Sequence, residues 1–182
     1  MLNTQAPEQP PGFIRHLFDL SDRDDRGALS ELRRSLVSGN DVLATRHVLP
    51  WLGGQVGARR ESVALLVAGL FALHDVKTLE PERESGRNFG HSMGRVWHAQ
   101  DKRLSTEQRF VALLNARAED LPYYMRQAVS LVASYETPVD WAQLYRDLCN
   151  WSHSDRFVQR KWARAFWGAS PEDENQQTNE EK

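Results

Sequence analysis

The 182-residue sequence has one cysteine, Cys149, so it cannot form a disulfide within a single chain. It has no apolar run long enough to span a membrane as a helix. Residues 1–11 are polar and contain proline, without the basic and then apolar pattern of a secretion signal. These absences predict a cytoplasmic protein without a membrane partner. The 40% hydrophobic content suffices for a buried core that needs neither disulfides nor metal.

Catalytic and metal-binding motifs are missing as well. Cys149 has no second ligand at metal-binding spacing, and its spacing from Trp141 and Tyr145 is typical of a core position. The six histidines contain no pair spaced i, i+4 with a following carboxylate. The glycines around Arg87 and Arg95 do not have the spacing of a phosphate-binding loop. The sequence therefore predicts no active site, no metal and no cofactor.

Apolar residues recur with a period close to 3.6 along most of the chain, and no long segment alternates with a period of two. This pattern predicts an all-α fold. The run from Val63 to Leu73 is apolar on every side, which is typical of a helix surrounded by others. Helices are predicted over about 13–20, 26–37, 42–51, 58–74 and 89–99, then from near 105, near 122 and after 137, with a last helix over 154–167.

Local signals mark some of the boundaries between these helices. Ser105 followed by Gln108 fits a capping box, in which the hydroxyl and the amide each bind a backbone N–H. Pro122 suits the first turn of a helix, where a missing N–H costs nothing. Residues 77–88 are polar, with a proline and a glycine, and predict a loop rich in both charges. Residues 169–182 are acidic and nearly free of apolar side chains, which predicts a disordered tail.

The charge of the chain is unevenly distributed, although the net charge is only −2. Residues 1–86 contain 10 Lys and Arg against 12 Asp and Glu, and residues 168–182 contain 1 against 5. Residues 87–167 contain 12 against 8, so the late part of the chain carries a positive excess. Because the local potential, and not the total charge, attracts phosphates, a polyanionic partner is compatible with this sequence.

The last predicted helix has two contrasting faces. Arg156, Arg160 and Arg164 are spaced i, i+4 and i+8, whereas Phe157 and Trp162 belong to an apolar face. A basic helix face is commonly no more than a solvated surface, but here other cations accompany it. The full set of candidate phosphate-binding side chains is Arg33, Arg34, Arg87, Arg95, Arg109, Arg117, Arg126, Arg146, Arg156, Arg160, Lys161 and Arg164.

Arginine dominates this set, and its planar fork matches phosphate oxygens better than a flexible ammonium does. Aromatic side chains lie between the cations in the sequence and are candidates for base stacking. Aromatic residues at helical spacing usually pack in a core, which is the alternative for each of them. These aromatic residues are Trp97, Tyr123, Tyr124, Trp141, Trp151 and Trp167.

A series of short matches resembles the CasB family, the small subunit of the type I-E CRISPR Cascade complex. The matches rest on order and spacing over roughly 13–166. They are Leu32-Arg33-Arg34, Gly90-His-Ser-Met-Gly94-Arg95, Glu107-Gln-Arg-Phe-Val-Ala-Leu-Leu114, Leu121 with Met125-Arg126, Val139-Asp-Trp141 with Leu144 and Arg146, Asn150-Trp151 and the basic helix. The chain departs from the family in a longer loop over 77–88 and in its acidic tail.

The resemblance implies a two-lobed bundle of about eight or nine helices, with an N-terminal lobe over 13–100, a basic C-terminal lobe over 105–168 and the tail at 169–182. It implies a non-catalytic subunit that contacts crRNA and target DNA strands, other Cascade subunits and a second copy of itself. Family positions that tend to be basic coincide with Arg33, Arg95, Arg126, Arg146, Arg156 and Arg160. A helical adaptor that binds only protein, and a small enzyme with a site formed in space, remain alternatives.

Overall fold

A computed structural model describes residues 12–38, 42–53, 56–75 and 86–168. The predicted tail and most of the 77–88 loop lie outside the described residues. The described residues form nine α-helices and no strand, with a short 3₁₀ helix at Leu49–Trp51 after α3. The α-helices are α1 Gly12–Asp22, α2 Arg26–Ser38, α3 Val42–Val48, α4 Ala58–His74, α5 Phe89–Ala99, α6 Leu104–Leu114, α7 Leu121–Ser134, α8 Trp141–Cys149 and α9 Phe157–Gly168.

The all-α prediction is confirmed, and α4 and α5 begin and end where the apolar pattern places them. The predicted capping box is wrong. Helix α6 begins at Leu104, so Ser105 lies inside its first turn, and no side chain among the described residues caps this helix start. Asn88 and Asp140 do cap their helices, by accepting hydrogen bonds from the backbone N–H groups of Gly90 and Gln143 at 3.0 and 2.8 Å.

Helix α4 is the centre of the bundle, as its apolar sequence predicts. It packs against α2, α3, α7 and α8, and Ala64, Val67 and Leu70 are fully buried. One cluster of buried side chains extends from Phe13 to Phe166. The predicted lobes 13–100 and 105–168 therefore share a core, and the boundary between them stays a prediction.

Helices α5 and α9 bring the early and late parts of the chain into direct backbone contact. A Cβ atom at Gly90 would lie 2.2 Å from the carbonyl oxygen of Trp162, so the two backbones touch where only hydrogen fits. Farther along, the Phe166 ring stacks between the rings of Trp97 and Phe110, with centroids 4.9 and 4.1 Å away. These contacts fix the position of α9.

A buried polar network also holds this face of α9. The indole N–H of Trp162 donates to Asp147 at 2.7 Å, and the side-chain amide of Gln143 donates to the other carboxylate oxygen at 2.8 Å. Burial raises the pKa of Asp147, while these two donors partly offset that rise. The amide of Gln159 donates to the carbonyl of Trp151 at 2.8 Å. The network aligns α8 with α9 because each buried donor needs its acceptor.

The segment 137–140 ties together two points that lie on either side of the 76–85 stretch. The ring Nε2 of His74 is 2.8 Å from the carbonyl oxygen of Thr137, and burial lowers the pKa of His74. The neutral ring therefore donates this hydrogen bond. The backbone N–H of Gly86 donates to the carboxylate of Asp140 at 2.8 Å. The C-terminal end of α4 and the residues just before α5 are thus both held by residues 137–140.

Candidate nucleic-acid interface

The exposed side of α9 carries three cations and faces away from the core. Arg160, Lys161 and Arg164 are exposed, whereas Trp162 and Phe166 are fully buried. We call these three cations the α9 basic face. The apolar and basic sides of this helix are separated as the sequence predicts.

Arg156, the first member of the predicted i, i+4, i+8 series, is exposed but lies just before α9 and not within it. Arg156 precedes the first helical residue and has a left-handed backbone, with φ of 49°. Its carbonyl accepts from the N–H of Arg160 at 3.1 Å. Its guanidinium donates to the carbonyl of Leu114 at 2.7 Å, at the end of α6. Arg156 therefore joins α9 to α6, and its contact with nucleic acid stays a prediction.

Two other predicted cations also have partners inside the fold. The guanidinium of Arg33 donates twice to the carbonyl of Ala72, at 2.9 and 2.7 Å, and lies 3.3 Å from Asp75. It thereby satisfies a free carbonyl near the C-terminal end of α4. Arg146 is half-buried and donates to the side-chain carbonyl of Gln143 at 3.3 and 3.1 Å.

The remaining candidate cations are spread over several helices. Arg34, Arg87 and Arg95 each take part in an interaction within the chain. Arg109 is exposed on α6 and Arg126 is half-buried on α7. Arg117 is exposed and lies 3.7 Å from Glu119. The predicted cations therefore come from several helices, and nucleic-acid contact by these residues stays a prediction.

A groove of about 600 Å³ lies between α6 and α9, beside the α9 basic face, and we call it the α6–α9 groove. Its described lining combines apolar, amide, hydroxyl and cationic side chains. These residues are Val111, Leu114, Asn115, Ser154, Asp155, Arg156, Gln159, Arg160, Ala163 and Trp167. Because Arg160 belongs to both the groove and the basic face, the two surfaces are continuous.

The aromatic candidates divide clearly between core and surface. Trp97, Trp141 and Trp151 are buried, whereas 45% of Trp167 and 55% of Tyr123 are exposed. The indole N–H of Trp167 donates to the carboxylate of Glu107 at 2.9 Å, which holds the ring at the rim of the α6–α9 groove. The sequence contained a signal for this position, because Trp167 follows Arg160 and Arg164 at i+7 and i+3.

A second, smaller depression of about 180 Å³ lies on the opposite flank of α6. Arg109 lines it together with Tyr123 and Tyr124, whose rings meet edge to face with centroids 5.3 Å apart. The sequence identified all three residues as candidates but did not predict that Arg109 meets the two tyrosines, because Arg109 is on α6 and the tyrosines are on α7.

The described residues contain no cluster of three or more histidine, cysteine or acidic side chains that could hold a metal ion. Burial raises the pKa of the Cys149 thiol, which disfavours the reactive thiolate and fits the predicted packing role. No helix in the described part of the chain is both long and apolar enough to cross a membrane.

Comparisons with known protein families and with individual proteins lead to the same family. Residues 28–167 match the family described as CRISPR-associated protein Cse2. A CRISPR-associated protein Cse2 from Thermus thermophilus is 34% identical over 150 residues, which cover 81% of this chain and 82% of the relative.

Solved structures extend the likeness to the whole fold. The crystal structure of CasB from Thermus thermophilus has a TM-score of 0.73 and 32% identity, and the match covers 88% of this chain and 100% of that one. A chain of a CRISPR RNA-guided surveillance complex shares the fold, with a TM-score of 0.64, 24% identity and coverage of 86% and 93%. On the family match and on the identity to its relative, this chain belongs to the CRISPR-associated Cse2 family, whose solved members include CasB.

Proposed function

We propose that this protein is a non-catalytic, nucleic-acid-binding subunit of a crRNA-guided surveillance complex. It stabilises the R-loop through contacts to the backbone of the displaced strand and of the guide–target duplex. Its partners are crRNA, target DNA, the other Cascade subunits and a second copy of itself. The observation that carries the proposal is the α9 basic face, where Arg160, Lys161 and Arg164 are exposed on a helix whose other side is firmly anchored.

The chemistry of guided recognition supports this role. When base pairing with a guide reads the sequence, a protein subunit needs only cations that follow the sugar-phosphate backbone. Arginine forks suit that task, and two of the three cations on the face are arginines. A structural relative of this chain is part of a CRISPR RNA-guided surveillance complex. Because the whole chain has a net charge of −2, we expect modest affinity for free strands.

A helical adaptor that binds only other proteins is the second candidate function. Val37 and Val42 are 78% and 77% exposed, and exposed apolar side chains of this kind often belong to protein interfaces. An adaptor would not bind nucleic acid in a salt-dependent manner, so the experiment on the basic face distinguishes the two functions.

The double variant Arg160→Ala with Arg164→Ala should bind a single-stranded oligonucleotide more weakly than wild type. Each lost phosphate contact should also make the slope of log affinity against log salt shallower by about 0.7. Because both side chains are exposed, unfolding free energy should change by less than about 1 kcal/mol. Fluorescence anisotropy over a salt series, together with a chemical denaturation curve, measures both quantities.

The matched control is Arg23→Ala with Arg26→Ala, which removes the same charge from two exposed side chains paired with aspartates near the α1–α2 turn. It should bind like wild type. In a reconstituted guide complex, the α9 double variant should lower R-loop stability while target search continues, because the guide still recognises the sequence. Wild-type binding and R-loops in that variant would show that the face is only solvated.

Deleting residues 170–182 should tighten oligonucleotide binding slightly and leave the melting temperature unchanged. Residues 168–182 contain 5 acidic and 1 basic side chains, which compete with nucleic acid for nearby cations. Binding isotherms and thermal melts of the full-length and shortened proteins test both expectations. A large fall in melting temperature would mean that the tail contributes to the folded core.

A further inference from the structure

The α6–α9 groove combines a flat aromatic side chain with a cation on one helix. Trp167 and Arg160 are seven residues apart on α9, so they project from the same side about two turns from each other. The hydrogen bond from the Trp167 indole to Glu107 restrains the ring without covering it, since 45% of the residue remains exposed. An aromatic ring held in this way loses little further freedom when a ligand stacks on it.

The lining of the groove between these two side chains is part apolar and part polar. Val111, Leu114 and Ala163 supply the apolar part, while Asn115 and Gln159 supply amides. The volume of about 600 Å³ is in the range of small-ligand sites. Such a lining suits an object with one flat apolar face and hydrogen-bonding edges.

The charge around the groove favours an anionic ligand. Of the described lining residues, Asp155 alone is a carboxylate, and its oxygen lies 3.8 Å from the ring nitrogen of His153. Glu107, beside the groove, accepts the hydrogen bond of Trp167. Arg160 faces the groove, and Lys161 and Arg164 extend the positive charge along α9.

We infer that the α6–α9 groove binds an unpaired nucleotide of a single strand, with its base stacked on Trp167 and its phosphate held by Arg160. The inference rests on the proposed function and adds a base-stacking site to it. Every base has an aromatic face, so the site accepts any sequence. It would hold one nucleotide of a strand whose neighbouring phosphates lie on the α9 basic face.

The test compares two strands of equal length and charge, a thymine oligonucleotide and its abasic counterpart. Wild type should bind the thymine strand about tenfold more tightly, which is within the range of aromatic stacking on one base. Trp167→Leu should bind both strands equally, because leucine fills space but offers no aromatic face. Trp167→Phe should keep most of the preference, since phenylalanine also stacks.

The Leu and Phe variants both retain an apolar contact to Phe110 and Phe166, the rings that Trp167 touches, so both should fold. The inference would be overturned if wild type and Trp167→Leu preferred the thymine strand to the same degree. It would also be overturned if Trp167→Leu weakened binding to a protein partner and left oligonucleotide binding unchanged. The abasic strand offers phosphates but no bases. The loss of its affinity in the Arg160→Ala, Arg164→Ala variant therefore measures the phosphate contacts separately from stacking. The proposed function can therefore survive a failure of the stacking site.

Discussion

Replacing Trp162 by alanine should unfold the protein or reduce its stability on the order of 5 kcal/mol. Trp162 is fully buried on α9, and truncation of such a side chain typically costs about 3–5 kcal/mol through lost contacts and the cavity left behind. The substitution also removes the donor 2.7 Å from Asp147 and leaves a buried carboxylate oxygen without that partner. Total stability of a domain is about 5–15 kcal/mol, so urea denaturation will show a large change.

Trp162→Phe is the matched control for the hydrogen bond. Phenylalanine keeps a ring near Phe89 and Trp151, whose centroids lie 5.3 and 5.1 Å from that of Trp162. It cannot donate to Asp147, so its cost should be smaller, about 1–3 kcal/mol. Equal stabilities of the alanine and phenylalanine variants would mean that ring packing contributes little at this position.

Substituting Gly90 by alanine should cost about 3 kcal/mol or more, although it adds a single methyl group. The new Cβ would lie 2.2 Å from the carbonyl oxygen of Trp162 and 2.8 Å from its carbonyl carbon and Cα. These are backbone atoms, so no rotamer change can relieve the contact, and α5 must move away from α9. Thermal and urea denaturation should both show the loss.

Gly27→Ala provides a control with the same sequence change in the same helical position. Gly27 and Gly90 are each the second residue of their helices. A Cβ at Gly27 would meet nothing closer than a carboxylate oxygen of Asp25 at 3.5 Å, which is an ordinary contact. This variant should be neutral or more stable by up to about 1 kcal/mol, because alanine loses less backbone entropy on folding. Similar losses in both variants would show that the α5–α9 contact is not the cause.

Long, strongly patterned helices were predictable from the sequence. The apolar signal of α4 extends over several turns, so both its existence and its central position followed from its residues. The start of α6 was not predictable in the same way. Ser105 and Gln108 have the right spacing for a capping box, but the residue that precedes the helix is Arg103, two positions before Ser105, so Ser105 lies in the first turn.

The composition of the α9 basic face was predictable, but its length and the groove beside it were not. The arginine period includes Arg156, but the backbone of Arg156 is left-handed and the helix begins at the next residue, Phe157. The groove depends on a contact between Trp167 and Glu107, which are 60 residues apart in the chain. Periodicity within one helix carries no information about which distant helix packs beside it.

The two hydrogen bonds that hold His74 and Gly86 to residues 137–140 also affect how this chain can change in evolution. Because His74 and Gly86 are both held there, the ends of the intervening stretch are fixed by contacts that do not depend on its length. For a flexible connection, the entropy cost of bringing its two ends together grows slowly with length, by about 0.6 kcal/mol for each doubling. Insertions and deletions between His74 and Gly86 should therefore accumulate more easily than elsewhere in the chain. We therefore expect the length of the stretch between these two residues to vary among lineages without altering the helices that support the basic face.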